Sequence, residues 1–297
     1  MRIVSLLPSA TEIAFDLGLG DALVGVTHEC DYPPEASTKT VVSHSTLPTD
    51  ATDPAEVDRL VSGSIGAGQP IYRLDAERFA ALQPDVILTQ DLCRVCAVPT
   101  GHVEEALDRL GCDADVVSLD PSSIDEVIDC LVAVGRATGT EPRSTARAAA
   151  LRRWLDDVRH ATAGLRRPSV LALEWSDPPF NGGHWVPEMI DAAGGSAVLA
   201  DAGAPSRRLS WGEIEGQSPE VVVFMPCGYD LDRAVAEGGT LLTRSELEGA
   251  SAVFAVDASS YFSRPGPRLV DGVEVLAWAL HPDRVPAPPP GRVEQLR

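Results

Sequence analysis

Two stretches of this chain echo each other, and the echo constrains the fold more than any other feature. Leu82 to Val98 reads LQPDVILTQDLCRVCAV: a turn at Gln83-Pro84, an apolar run at Asp85–Thr89, then a loop carrying Cys93 and Cys96. Gln217 to Tyr229 reads QSPEVVVFMPCGY: a turn at Ser218-Pro219, a run at Glu220–Phe224, and Cys227 just past it. A short apolar run bounded by turn residues fits a strand buried on both faces of a parallel sheet. In open α/β sheets ligands bind beyond the carboxyl ends of such strands. The echo therefore predicts two similar α/β halves, each aiming a cysteine-bearing loop at a site.

Length and charge narrow the class. With 297 residues the chain can build two domains of ordinary size. A hydrophobic share of 44% is that of a folded protein. The formal net charge of -20 argues against nucleic acid, whose phosphates need clustered Lys and Arg. No apolar run reaches the roughly twenty residues of a membrane helix, so no membrane insertion is expected. The N-terminal residues Arg2 to Leu7 read directly as a strand with no leader pattern, which points to a cytoplasmic location. A periplasmic or extracellular one follows if a leader has been trimmed. Six cysteines then read as thiols or metal ligands rather than as a disulfide scaffold.

Taken in order, Ile3–Leu7 reads as a strand, and Ser9 with Glu12 as a capping box for a helix that Gly18 closes. Leu23–Thr27 and Thr40–Ser43 read as strands. Residues 45–72 are weakly patterned and read as one long loop. Asp75 caps a helix to Leu82, and beyond the first echo come helix His102–Leu110, strand Asp115–Leu119 and helix Ile124–Thr138. The strongest helical pattern spans Thr140–Ala163, with Leu151, Trp154, Leu155 and Val158 at helical spacing. At 1.5 Å per residue it is roughly 36 Å long, enough to cross a domain. It lies between the echoing halves and is read as their connector. The predicted organisation is a lobe over 1–139, a connecting helix over 140–165 and a lobe over 166–297. In the second lobe Ser169–Glu174 reads as a strand followed by a loop to Trp185. Helices at Pro187–Ala193, Trp211–Glu215 and Leu231–Glu237 follow, then strand Ala252–Asp257, helix Arg268–Leu280 and a frayed proline-rich tail.

The polar residues that could carry chemistry fall in the loops. Cys30, Cys93, Cys96 and Cys227 each follow a strand, with His28 and His184 in similar loops, whereas Cys112 and Cys130 read as core residues. Paired thiolates suit zinc or the iron of an iron–sulfur cluster. The chain has five Trp, four Tyr and six Phe, and seven of these fifteen sit in four loops: Tyr32, Trp175, Phe180, Trp185, Tyr229, Tyr261 and Phe262. Rings on loops offer flat apolar contact at little entropic cost. Glu174 at a strand end reads as an orienting group or a base. No nucleophile elbow, phosphate loop or dinucleotide fingerprint is present, so nucleotide-dependent chemistry is unsupported, and a ligand-binding protein is expected ahead of an enzyme.

With these residues in view, the stretches RIVSLLPSATEIAFDLG, HECDYPPE, LQPDVILTQ, DPPFNGGHW and YFSRPGPR resemble the cobalamin-binding members of the helical-backbone (class III) substrate-binding proteins of ABC transporters. The resemblance covers nearly the whole chain. It implies two Rossmann-like lobes joined by one long helix, with a ligand cleft between the lobes. It implies a small metal-containing ligand, cobalamin or another corrinoid first, and makes a transporter a possible partner. By position it places Cys30, Asp31 and Tyr32 and the Ser260–Ser263 loop with Tyr261 and Phe262 against the ligand, and Trp175 and Phe180 in the matching loop of the second lobe. The full expected ligand set is His28, Glu29, Asp31, Tyr32, Glu174, Trp175, Phe180, His184, Trp185, Tyr229, Tyr261 and Phe262. The alternative is a cytoplasmic metalloprotein or enzyme on the same scaffold, with Cys30, Cys93, Cys96 and Cys227 ligating zinc or an iron–sulfur cluster.

Overall fold

A computed structural model describes residues 1–48, 53–91 and 114–297. The chain is two α/β units, each built on its own six-stranded sheet. Unit 1 comprises Met1–Pro121 and Glu126–Ala150, and unit 2 comprises Ser122–Asp125 and Leu151–Arg297.

The sheet of unit 1 uses β1 (Ile3–Ser5), β2 (Leu23–Thr27), β3 (Thr40–Ser45), β4 (Tyr72–Leu74), β5 (Val86–Thr89) and β6 (Asp115–Ser118), in the order β4-β3-β2-β1-β5-β6. All neighbours are parallel except β3 and β4. Ile3 pairs with Val86 and Ser5 with Leu88, so β1 and β5 lie side by side at the centre. All four residues of β5 are buried, as expected for a strand covered on both faces. Val4, Leu6, Val42, Phe79 and Ile87 pack together as this unit's core. Fully burying a side chain of this size stabilises by about 1.5–3 kcal/mol.

The first helix, α1 (Pro8–Asp16), corrects the sequence reading. Pro8 occupies its first turn, where a missing N–H costs nothing and the fixed φ is pre-organised. The N-cap is therefore Leu7, which has no side-chain capping bond, and Ser9 and Glu12 lie buried within the helix rather than forming a capping box. Gly18, at φ 72°, closes it as predicted. Residues 45–72 are likewise not one loop: Pro54–Gly66 form α2, capped by the Asp53 side chain accepting from the amide of Glu56, and Tyr72 opens β4. The loop reading failed there because no residue of α2 is buried, so a deep apolar stripe is missing. The helix α3 (Ala76–Leu82) is capped by Asp75 as predicted. The predicted helix His102–Leu110 lies outside the described residues.

Two helices join the units. The first, α4, runs Ile124–Ala137; its opening residues belong to unit 2, where the amide of Ile124 donates to Glu188 Oε2 at 2.8 Å. The second, α5, runs Glu141–Thr162, within a residue of the predicted connector at either end. Leu151, Leu155 and Val158 are buried along one stripe, and Gly164 at φ 75° ends it.

Unit 2 repeats the plan with β7 (Ser169–Ser176), β8 (Pro179–Asn181), β9 (Ser196–Ala197), β10 (Val221–Phe224), β11 (Ala252–Val256) and β12 (Val293–Gln295). The order is β12-β11-β10-β7-β8, with β9 also beside β7. The strands β7, β10 and β11 are parallel. Its helices are α6 (Val186–Ala192), α7 (Trp211–Gln217), α8 (Leu231–Leu241), α9 (Ala258–Tyr261) and α10 (Leu269–Leu280). Leu171, Leu173, Ile214, Val222, Phe224 and Val253 belong to one apolar cluster. Two expectations change here. The expected loop after Glu174 is a hairpin, because β7 continues to Ser176 and turns back as β8 with Trp175 opposite Phe180. The expected frayed tail ends in β12, antiparallel to β11 with Val256 opposite Val293. A three-residue edge strand after a proline run has too little periodicity to read from sequence.

Candidate functional site

The echo places both candidate regions at carboxyl ends of parallel strands, one set in each unit. In unit 1 those ends carry small hydroxyls and polar groups. Ser5, Thr27, Ser43, Thr89 and Gln90 are all buried there. Cys30, in the loop after β2, is 4% exposed. Thr11 Oγ1 donates to its sulfur at 3.1 Å, and Thr27 Oγ1 lies 3.3 Å from the same sulfur. The thiol is thus part of a hydroxyl network packed against α1.

At the start of the same loop, His28 stands beside β3. Its Nδ1 lies 3.2 Å from the Ser43 carbonyl, and its ring is 6.0 Å from that of His44 and 6.1 Å from that of Tyr72. Tyr72 donates to Glu29 Oε1 at 3.1 Å. Glu29 is therefore tied to β4 by a hydrogen bond. Asp31 and Tyr32 are exposed, Tyr32 at 45%, which is unusual for a ring of that size.

In unit 2 the corresponding ends are aromatic and cationic. Trp175 and Tyr229 meet edge to face with ring centroids 5.5 Å apart. Tyr229 is 2% exposed, and its hydroxyl donates to Glu237 Oε2 at 3.2 Å while accepting from Arg233 at 3.1 Å. Burial, together with the Glu237 charge, pushes its phenol up to about 12. Glu237 also accepts from Ser176 at the end of β7. One carboxylate therefore ties the end of β7 to the loop after β10, and the Trp175 ring rests on that tie. The Arg208 guanidinium lies 5.6 Å from the centre of the Phe180 ring. Tyr261 has two such neighbours, Arg292 at 4.7 Å and Arg268 at 5.5 Å.

Several expected ligand residues have structural duties. Trp185 is buried, and its indole N–H donates to the carbonyl of Phe262 at 2.8 Å; Phe262 is itself 1% exposed. Both are core residues of unit 2. They were expected on loops because the pattern could not show that α6 begins right after Trp185 and seats its ring. Glu174 accepts from the Gly183 amide at 3.3 Å and from Ser206 at 2.5 Å, so it orients the β8 loop. His184 has φ 50°, and burial lowers its pKa, which favours the neutral imidazole. Cys227 is exposed just past β10.

The cysteine constellation divides. Cys93, Cys96 and Cys112 lie outside the described residues. Cys130 is a core residue, its thiol pushed up to about 12 by burial and then by Asp120, Asp129 and Glu126. Among the described residues no group of three or more His, Cys, Asp or Glu is arranged to hold a metal ion. Likewise, no helix among the described residues is long and apolar enough to cross a membrane. The pattern-based reading missed Gln90. It is 4% exposed directly after β5, and its Oε1 has no hydrogen-bond partner. The available signal was a long polar side chain at the carboxyl end of a strand buried on both faces.

Two α/β units, each on a mostly parallel sheet and joined through α4 and α5, define the class: a two-domain α/β binding protein. The periplasmic binding protein family model matches residues 3–246, and the chain belongs to that family. The vitamin B12-binding protein of Vibrio cholerae is 27% identical over 287 residues, covering 94% of this chain and 88% of that protein. The cobalamin-binding protein of Halobacterium salinarum is 27% identical over 292 residues, covering 94% of this chain and 69% of that one. Among solved structures, a periplasmic heme-binding protein from Pseudomonas aeruginosa superposes with a TM-score of 0.71 at 20% identity, covering 99% of this chain and 97% of that one. At that identity the likeness is one of fold.

Proposed function

We propose that this chain binds a corrinoid, cobalamin first. The observation that carries the reading is the near full-length similarity to the two relatives named for vitamin B12 and cobalamin. The chemistry of the strand ends supports it. A corrinoid presents a broad flat ring system and a rim of amides. Trp175 and Phe180, opposite one another in the β7–β8 hairpin, supply flat apolar surface with few rotatable bonds. Tyr32 supplies an exposed ring from unit 1. The tie through Tyr229 and Glu237 holds Trp175 in place beforehand, so less side-chain entropy is lost on binding. The small polar groups of unit 1 suit the amide rim. Cysteine ligation of zinc or a cluster finds less support, because the Cys30 sulfur is engaged by two threonine hydroxyls.

The test is titration of the intact protein with cyanocobalamin, followed by tryptophan emission. The reading expects saturable quenching that falls by half or more in Trp175→Phe. Absence of quenching together with absence of calorimetric heat would sink it.

A further inference from the structure

Every buried acceptor needs a donor, and among the described residues Gln90 Oε1 is one of two buried side-chain polar atoms without a partner, the other being Ser43 Oγ. Leaving such a group unsatisfied costs about 1–3 kcal/mol, so it calls for a water or a ligand. The position of Gln90 narrows the choice. Ser5 lies beside Leu88 in the β1–β5 register, which puts Gln90 level with Leu7, the N-cap of α1. Leu7 brings no side-chain cap, and Pro8 has no N–H. The amides of Ser9 and Ala10 therefore open a helix N-terminus with no intrahelical acceptor, and both residues are buried. A buried acceptor without a partner thus follows β5 where the neighbouring strand β1 runs into α1, whose first amides have no helical carbonyl to take them.

We propose that Gln90 and the first turn of α1 form a subsite that reads a primary carboxamide on the ligand. The ligand's amide oxygen accepts from the Ser9 and Ala10 N–H groups, and its NH2 donates to Gln90 Oε1. A primary carboxamide carries both functions on one planar group. A carboxylate could take the helix amides but would face Gln90 Oε1 acceptor to acceptor. The subsite rests on the corrinoid reading and deepens it: a corrinoid rim is built of carboxamides, whereas the haem edge carries carboxylates. Sites that hydrogen-bond a ligand group discriminate more strongly than apolar ones, because the wrong ligand leaves buried partners unpaired.

The experiment compares dicyanocobinamide, whose rim groups are amides, with cobyrinic acid, whose rim groups are acids, by calorimetry on the full chain. Wild type is expected to prefer the amide corrinoid at least tenfold. Gln90→Met should weaken the amide corrinoid about tenfold and leave the acid within twofold, with a melting temperature no lower than wild type because an unpaired acceptor has been removed. Gln90→Glu keeps the acceptor, so it should hold the amide corrinoid better than Gln90→Met does and reject the acid more than wild type does. Should Gln90→Met bind the amide corrinoid as wild type does, Oε1 is served by a water and the subsite is wrong. Should wild type bind neither corrinoid, the functional reading falls and the subsite with it. The two failures are distinct because only the second silences wild type.

Discussion

The two sheets obey one topological rule, yet their carboxyl ends are furnished with opposite chemistry. Unit 1 lines its ends with Ser5, Thr27, Ser43, Thr89 and Gln90, small or amide-bearing and buried. Unit 2 sets out Trp175, Phe180 and Tyr229, with Arg208 and Arg233 against the rings. Polar groups in a low-dielectric pocket confer specificity, because leaving any of them unpaired is costly. Aromatic faces confer affinity, because their contact area is large and their ordering cost small. Substitutions at the ends of unit 1 should therefore change ligand preference most, and substitutions at the ends of unit 2 should change affinity most.

The largest expected effect falls on unit 2. Trp175→Ala should weaken cyanocobalamin binding at least tenfold, the scale of a truncated aromatic hot spot, while the ratio of corrinoid to haemin affinity stays put. A changed ratio with unchanged affinity would invert the division of labour. Next is Tyr229→Phe. It removes a hydroxyl held by Glu237 and Arg233 and leaves both with an unpaired contact, which should cost about 1–3 kcal/mol in denaturant unfolding.

The same variant carries a pH signature. A folded-state phenol near 12 against an unpaired value near 10 means that the folded chain keeps a proton the unfolded chain has lost. That stability is fully present below about pH 10 and disappears as pH rises through about 12. Tyr229→Phe should therefore lose less stability than wild type over that window, and parallel curves would contradict the assignment.

Smaller again is Cys30→Ser in unit 1. The sulfur packs between two hydroxyls, so the expected cost is about 1 kcal/mol, with bound metal unchanged by elemental assay. A fall in bound metal would restore the cysteine-site alternative. The smallest effect is at His184. Burial lowers its pKa, so the stability of its neutral form is present above the unfolded value near 6.5 and is lost as pH falls. His184→Asn, which tolerates the positive φ, should flatten the acid limb of the stability curve.

The division was partly legible in sequence. VILT and VVVF announced two central parallel strands, because burial on both faces makes a short run continuously apolar. The helix Glu141–Thr162 was legible because one buried stripe persists through Leu151, Leu155 and Val158. The rings at the carboxyl ends of unit 2 could be read as an excess of aromatics in loops. Enrichment does not reveal facing: Trp185 and Phe262 share the pattern of Trp175 yet are buried and hydrogen-bonded to each other. Gln90 escaped notice because its signal is an unmade bond, which depends on neighbours far along the chain. Helix α2 escaped because none of its residues is buried, which leaves no deep apolar stripe to read, and strand β12 because its three residues gain their place from pairing with β11 rather than from their own periodicity.

The account stands most directly on one comparison, calorimetric titration of the wild-type chain with cyanocobalamin and with haemin in the same buffer. It predicts one corrinoid per chain with a Kd at or below about 1 μM, near -8.2 kcal/mol, and haemin at least tenfold weaker. Haemin binding as tightly as or more tightly than cyanocobalamin, or no heat with the corrinoid, would contradict it.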